Sequence, residues 1–251
     1  MDRRFFSKII FCLLNLGTFP CWANCPLADS LFAKNQTTQA VFAMQLCALS
    51  MNDDASQFKM AQAYEKGLYG VEKNPEEMIY YYQLAAESGH AEAQVRLAEI
   101  FMQYDKTSES RNKLLSYRNK IVAQDSENKR FNSDFMHPYA LLLLAAESAD
   151  KKWYYPSSVR LTPTRTLSLL RDYKIDPEKK KKALREASQW KTRKMLEVAQ
   201  EVLPEEVYPD IVRRIKNKAT RQQAVEELKN YTQQYIQKNQ QLKGKKNETV
   251  H

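Results

Sequence analysis

A five-residue string that occurs twice constrains the fold of this chain more than any other feature. Leu84-Ala85-Ala86-Glu87-Ser88 returns as Leu144-Ala145-Ala146-Glu147-Ser148, and Val95-Arg96-Leu97 returns as Val159-Arg160-Leu161. Self-similarity on this scale is typical of chains built from short structural units that stack on one another. Each unit buries its apolar face against the next, so the sequence predicts a stack of similar units.

The first half of the chain also repeats itself at a constant spacing of 37 residues. Side chains of similar character recur at the intervals of three and four residues that mark one face of a helix. The aligned pairs are Gln57 with Gln94, Phe58 with Val95, Met60 with Leu97, Ala61 with Ala98, and Tyr64 with Phe101. A unit of this length accommodates two helices, so each unit is predicted to be a helix pair.

Local signals give the boundaries of the best-formed unit. Its first helix is predicted over Asp54 to Lys66, where Gly67 supplies the left-handed backbone that ends many helices. Asn74 can cap the second helix, and Pro75 fits its first turn because the N–H that proline lacks has no partner there. Gly89 ends that helix.

Composition agrees with a fold built from helices alone. The 251 residues include only 5 glycines and 9 prolines, and 43% of them are apolar. A fold with many strands needs more turn-forming residues than this, whereas helices joined by short turns do not. The fold class predicted is therefore all-α.

The unit over residues 54–101 resembles the Sel1-like repeat, a relative of the tetratricopeptide repeat. The positions that carry the resemblance are Ala55, Met60-Ala61, Tyr64, Gly67, Gly70-Val71, Tyr81-Tyr82, Ala85-Ala86, Gly89-His90 and Ala93. A second, degenerate unit pairs Ala91–Gln103 with His137–Ser148, and a leading helix is expected over Thr37–Ser50. The resemblance covers roughly residues 40–150. It implies a Sel1/TPR-like helical-repeat solenoid that acts as an adaptor or scaffold by binding another protein.

The chain is predicted to have four parts: a signal peptide over 1–23, a Sel1-like repeat domain over 24–150, a basic helical region over 151–242, and a disordered tail over 243–251. Residues 24–150 carry a net charge of −5, and residues 151–251 carry +12. The basic region contains a long amphipathic helix from Asp176 to about Val202. Its apolar stripe is predicted to pack onto the repeats as a C-terminal extension, and the alternative is that it lies on a membrane surface.

The first residues have the pattern of an export signal. Arg3, Arg4 and Lys8 precede an apolar run from Ile9 to Phe19, and Cys21-Trp22-Ala23 offers a cleavage site after Ala23. The run is too short to span a bilayer as a helix. The mature protein is therefore expected in the periplasm, with secretion or a retained signal anchor as alternatives.

Cleavage would leave two cysteines, Cys25 and Cys47. Two cysteines in an exported protein are more often paired than free, so a disulfide between them is predicted. It would fasten the mature N-terminus to the first helices. The alternative is two unpaired thiols.

No residue pattern in the chain indicates catalysis. Its three histidines, His90, His137 and His251, have no metal-ligand spacing, and no nucleophile elbow or phosphate-binding glycine loop is present. The chain is therefore predicted not to be an enzyme and to need no cofactor or metal. Export also argues against nucleic acid as a partner.

A partner-binding surface is predicted on the second helices of the repeats. Tyr80 and Leu84 are apolar at positions that are usually polar in the Sel1-like family, and Leu144 matches Leu84 in the second unit. An exposed aromatic beside a leucine is typical of a protein-binding patch. The alternative is that the insertion at about 104–134, or the C-terminal half, covers this patch. The insertion resembles an amphipathic helix through Leu114, Leu115, Tyr117, Ile121 and Val122, and it could be that cover or a second contact surface.

Four consecutive lysines, Lys179, Lys180, Lys181 and Lys182, form a basic patch in the first turn of the long helix. Positive charge is unfavourable at this end of a helix, so folding gives no reason for the run. It favours an acidic partner, such as a protein of the cell envelope. The predicted function is an exported adaptor, and a type VI secretion accessory is one such protein. The alternative is a peripheral protein that uses these lysines on anionic lipid or lipopolysaccharide.

Overall fold

The computed structural model describes residues 25–124, 135–148 and 163–248, and those ranges contain eleven α-helices and no strand. Six helices come from the first range: α1 (Pro26–Ala33), α2 (Thr37–Ser50), α3 (Asp54–Lys66), α4 (Pro75–Glu87), α5 (Ala91–Tyr104) and α6 (Ser108–Gln124). Five follow: α7 (Pro138–Ser148), α8 (Pro163–Asp172), α9 (Pro177–Val202), α10 (Tyr208–Lys216) and α11 (Arg221–Glu248). The all-α prediction is confirmed.

The helices pack as successive pairs. α1 pairs with α2, α3 with α4, and α5 with α7, and the second helix of each pair also packs against the first helix of the next. This is the arrangement of a Sel1/TPR-like solenoid, in which each unit contacts its neighbours. The second unit is completed across the insertion, because α6 leaves the stack and packs against α4 and α5.

The local signals of the first complete unit act as predicted. The side chain of Asp53 accepts a hydrogen bond from the backbone N–H of Ser56 at 2.8 Å and so caps α3, which ends at Gly67 with φ +71°. Asn74 accepts from the N–H of Glu76 at 3.0 Å and from that of Glu77 at 3.3 Å. These bonds satisfy backbone donors that the first turn of a helix leaves without partners.

One helix, α7, is shared by two hydrophobic clusters. Leu141 and Leu142 belong to the cluster of the repeats, which includes Met60, Tyr81 and Leu97. Leu144 of the same helix belongs to a second cluster, formed mainly by α9, α10 and α11. Since α7 is apolar on most of its circumference, it can bury two faces at once. The C-terminal helices therefore pack directly onto the repeats.

The apolar stripe of α9 faces the protein. Ala183, Ala187 and Trp190 are buried in the second cluster, while Leu184, at the edge of this stripe, is 49% exposed. The predicted alternatives for α9 were packing onto the repeats and lying on a membrane surface. In the structure its apolar stripe packs onto the protein. Among the residues described, no helix has both the length and the apolar character needed to cross a membrane.

Two predictions differ from the structure or lie beyond it. The last helix, α11, continues to Glu248 and not only to residue 242, where the basic helical region was predicted to end. Lysine, glutamine and glutamate all favour helix, which explains the extension. The signal segment 1–23 and the last part of the insertion, residues 125–134, lie outside the described residues.

Candidate functional site

The predicted partner surface on the second helices of the repeats is buried. Tyr80 is 6% exposed, Leu84 is 4% exposed and Leu144 is fully buried. The expectation of an exposed patch is therefore wrong for these three side chains. α6, from the insertion, packs against α4, and α9 packs against α7. These helices cover the side chains that are apolar where Sel1-like repeats usually have polar residues. The sequence had left this open as the alternative to an exposed patch.

An open groove lies beside this cover, between the insertion helix and the start of α9. Its cavity volume is about 400 Å³. Three parts of the chain meet there: the end of α5 with α6, the segment that opens α7, and the end of α8 with the first turns of α9. The lining residues are Phe101, Asp105, Arg111, Leu114, Leu115, Arg118, Phe135, Met136, His137, Pro138, Tyr173, Lys179, Lys182 and Glu186.

The groove has an apolar floor and a charged rim. Phe101 is buried, and it stacks on Phe135 with the ring centroids 4.9 Å apart. Leu114 and Tyr173 are half-buried beside them, whereas the rim residues Arg111, Leu115, Lys179 and Lys182 are exposed. An apolar centre surrounded by polar and charged groups is the usual anatomy of a protein-binding surface.

The carboxylates of the groove are engaged within the protein. Asp105 lies 3.5 Å from the guanidinium of Arg111, and Glu186 lies 3.9 Å from the ammonium of Lys182. Glu186 also accepts a hydrogen bond from the backbone N–H of His137 at 2.8 Å. The described residues that line the groove also include four cations, Arg111, Arg118, Lys179 and Lys182.

His137 lies in the lining of the groove, and its surroundings shift its pKa. Burial lowers the pKa of its imidazole, and the positive charges of Lys179 and Lys182 lower it further, against the opposing effect of Glu186. The Nδ1 atom accepts a hydrogen bond from the N–H of Tyr139 at 3.1 Å, which orients the ring at the start of α7. His137 is therefore a structural cap near the groove.

The structure divides the predicted basic patch into two pairs. Lys179, Lys180, Lys181 and Lys182 are all exposed, but only Lys179 and Lys182 line the groove. The ammonium of Lys180 lies 5.6 Å from the centroid of the Tyr139 ring. Leu115 belongs to the insertion helix that was predicted as a cover or a second contact surface, but the rim residues Arg111 and Arg118 were missed. Arg111, Leu115 and Arg118 follow one another at the spacings of four and three residues that share a helix face, and this signal could have indicated them.

The charged residues on the first helices of the repeats pair with one another. Glu65 of α3 accepts from Arg96 of α5 and from the hydroxyl of Tyr82, the latter at 2.6 Å. Burial raises the pKa of Glu65, yet these hydrogen bonds bring it below its usual value. Arg96 also pairs with Glu99, which in turn pairs with Arg165 of α8. These pairs join α3, α5 and α8, and their charges are paired within the protein.

The predicted cysteine pair lies at the N-terminal end of the stack. Cys25, the residue before α1, lies beside Cys47 of α2, with the Cα atoms 6.1 Å apart. This distance lies within the range that disulfides span. Both residues are buried in the cluster of the repeats. The bond would fasten α1 to the stack.

The remaining histidine of the described residues has a structural position. His90 caps α5 by accepting the N–H of Ala93 on its Nδ1 atom at 3.3 Å, and its ring stacks on Phe58 at 4.3 Å. Burial lowers the pKa of His90 to about 4. In the described ranges no three histidine, cysteine, aspartate or glutamate side chains are grouped as a metal site would require.

Comparison with known proteins agrees with the repeat architecture. Residues 54–90, which span α3 and α4, match the family model of the Sel1 repeat. Such repeats generally mediate protein–protein interaction and are typically non-catalytic. The chain is also 28% identical over 68 residues to chitin synthase regulatory factor 1 of Schizosaccharomyces pombe. That similarity covers 27% of this chain and only 15% of the yeast protein. No solved structure matches the chain.

Proposed function

We propose that this protein is a non-catalytic adaptor that is exported to the periplasm and binds another protein in the groove between α6 and α9. The observation that carries the proposal is the groove itself, with its buried and half-buried aromatic floor inside a rim of exposed cations and leucine. It lies next to a segment that matches a repeat whose general role is protein interaction.

The open shape of the groove supports a protein as the occupant. Leu115 is 49% exposed on its rim, and Val122 of the same helix is 37% exposed. Exposed aliphatic side chains on a helix face beside a groove are typical of surfaces that a partner covers. The Sel1 repeat supplies the rigid support, because α6 rests on α4 and α5.

The partner is a protein of the cell envelope, and two features of the chain support this location. The first residues have the pattern of an export signal, and Cys25 and Cys47 are positioned to form a disulfide, which persists in oxidising compartments. A type VI secretion assembly is one envelope structure with which such an adaptor could work. No residue of the groove argues for that assembly in particular.

Quantitative affinity capture with matched variants tests the function. Wild type, Leu115→Glu and Leu184→Glu would be produced with the native export signal and recovered from envelope extracts. Leu115 and Leu184 are equally exposed, at 49%, but only Leu115 lines the groove. We expect one protein to be enriched with wild type and with Leu184→Glu, and lost with Leu115→Glu. Equal recovery with both variants would contradict the groove as the binding site.

The second candidate function is peripheral binding to anionic lipid or lipopolysaccharide through the basic run. The observation in its favour is that all four lysines, Lys179, Lys180, Lys181 and Lys182, are exposed. A membrane surface would use the four charges alike, whereas a partner in the groove uses two of them. Binding to vesicles that contain phosphatidylglycerol would then be lost with added salt and would be insensitive to Leu115→Glu.

A further inference from the structure

We infer that the outer face of α2, at the N-terminal end of the described stack, docks onto the same face of a second copy of this chain and forms a symmetric dimer. This surface is separate from the groove between α6 and α9, because no residue of α2 lines that groove. Dimer formation therefore neither requires nor excludes a partner in the groove. Three features of α2 support the dimer: its composition, the side chains that it exposes, and the place of its exposed aromatic ring along the helix.

α2 contains no charged residue. Its 14 residues, Thr37 to Ser50, include no aspartate, glutamate, lysine, arginine or histidine, although 27% of the whole chain is charged. Of the eleven helices that the structure describes, only α2 has this composition. The end of a helical-repeat stack normally has a polar outer face, because no further unit covers it. An uncharged helix in the leading pair is therefore suited to a surface that another molecule covers.

The outer side of α2 exposes a large aromatic ring. The residues of α2 that pack in the cluster of the repeats lie on one side of the helix, and Phe42 on the opposite side is 56% exposed. Leu46, one turn further on, shares the outer face and is only half-buried. Nearby in the chain, Leu27 of α1 is 61% exposed and Met51, directly after α2, is 46% exposed. Grouped apolar exposure of this kind marks an interaction surface.

The absence of charge favours a second copy of the chain as the occupant. In a symmetric dimer each patch contacts itself, so any charge near the axis would face its like and be repelled. The exposed polar residues of the outer face, Thr38 and Gln39, each carry both a donor and an acceptor, so they can pair with their own copies. Helices that lie on a membrane surface are instead rich in lysine and arginine, which α2 lacks.

The position of Phe42 suits contact across a twofold axis. Phe42 lies near the middle of α2, and two identical helices that cross at a twofold axis approach each other most closely where the axis passes. The ring would therefore meet the same ring of the second copy, and paired aromatic rings stabilise an interface beyond the area that they bury. α2 already packs against α1 and α3, so the dimer would continue the helix-on-helix packing that builds the stack.

Sedimentation velocity over a range of protein concentrations tests the dimer with variants that can be mixed. The full chain is prepared as wild type, as Phe42→Glu, as Phe42→Lys and as the control Leu167→Glu. Leu167 of α8 is 54% exposed, close to the 56% of Phe42, so the control places the same charge at a similarly exposed apolar site. Substitutions at exposed side chains should leave folding intact, and circular dichroism verifies this.

We expect wild type and Leu167→Glu to form a dimer whose fraction rises with concentration. Phe42→Glu alone and Phe42→Lys alone should each weaken self-association by about tenfold or more, since like charges meet at the axis. A mixture of the two variants should recover the dimer, because glutamate then faces lysine. A wild type that stays monomeric, or a mixture that associates no better than either variant alone, would overturn the inference.

Two further measurements separate the dimer from the groove and from a membrane. Leu115→Glu changes the groove and not α2, so it should leave the dimer intact even where it abolishes capture of the envelope partner. Wild type should not sediment with vesicles of phosphatidylcholine. Binding to these vesicles that is lost with Phe42→Glu would assign the outer face of α2 to a membrane and contradict the dimer.

Discussion

The guanidinium of Arg193 on α9 pairs with the carboxylate of Glu87 at the end of α4. Glu87 is the glutamate of the repeated Leu-Ala-Ala-Glu-Ser string, and its counterpart Glu147 accepts from Lys191 on the same helix at 2.9 Å. The two copies of the string thus provide equivalent carboxylates, and α9 binds both. Burial raises the pKa of Glu87, although Arg193 opposes that effect. Both copies of the repeated string therefore contribute an ion pair that joins α9 to the repeats.

The pair between Glu87 and Arg193 should contribute to stability. Arg193→Ala leaves a carboxylate that is only 19% exposed without its cation. We expect the free energy of unfolding to fall by about 1–2 kcal/mol, between the values for exposed and buried pairs. Urea denaturation measures the change. The matched control is Arg213→Ala, whose side chain is 80% exposed and should change stability by less than about 0.5 kcal/mol. Equal effects of the two substitutions would show that this pair does not fasten α9.

The apolar side chains first expected at a partner surface should behave as core residues. Leu144→Ala removes a fully buried side chain from α7, and we expect it to lower the free energy of unfolding by about 2–5 kcal/mol. Leu184→Ala, at a side chain that is 49% exposed, should have an effect below about 0.5 kcal/mol. Chemical denaturation of both variants measures the two changes in the free energy of unfolding. A stable Leu144→Ala protein would mean that α9 does not pack on α7.

His90 should make stability depend on pH. Burial lowers its pKa to about 4 in the folded protein, from about 6.5 in the unfolded chain, against the opposing charges of Glu92 and Asp53. The unfolded chain therefore binds the proton more readily. The contribution of His90 is fully present above pH 6.5 and is lost as the pH falls toward 4. Because a tenfold change in proton affinity corresponds to about 1.4 kcal/mol, the loss is on the order of 3 kcal/mol.

The histidine contribution can be isolated by a substitution that keeps the helix cap. His90→Asn retains a side-chain acceptor for the N–H of Ala93 but does not titrate in this range. Unfolding by urea at several pH values should show a smaller decrease between pH 6.5 and 4 for the variant than for wild type. Parallel pH profiles for the two proteins would contradict the prediction.

A disulfide between Cys25 and Cys47, which the sequence predicts, should stabilise the N-terminal end of the stack. Its cysteines are 22 positions apart, and closing a loop of this size typically stabilises a protein by about 3 kcal/mol. Reduced protein and Cys25→Ser/Cys47→Ser should both unfold at lower urea concentration than oxidised protein. Alkylation of the protein recovered from its native host should leave both cysteines unmodified until a reductant is added. Two freely alkylated thiols would support the alternative of unpaired cysteines.

Much of the fold could be predicted from the sequence because its signals are local. The bounds of α3, the cap at Asn74 and the end at Gly67 each depend on residues within one turn of the helix. The burial of Tyr80 and Leu84 depends on helices from other parts of the chain, and helical periodicity does not indicate which segment covers which. For the same reason, helical periodicity does not indicate that Phe101 and Lys182 line the same groove. Of the lining residues, the sequence indicated Leu114 and Leu115 as part of an amphipathic insertion helix and Lys179 and Lys182 as part of a basic patch, but not that the two would meet.

Site-specific photo-crosslinking tests the central claim, that a partner protein occupies the groove, most directly. A photoreactive phenylalanine derivative would be placed at position 115 in one protein and at position 184 in another, since both side chains are 49% exposed and only the first lines the groove. Irradiation in the native envelope should yield one discrete adduct from position 115 and none from position 184. No adduct from position 115, or the same adduct from both positions, would contradict the account.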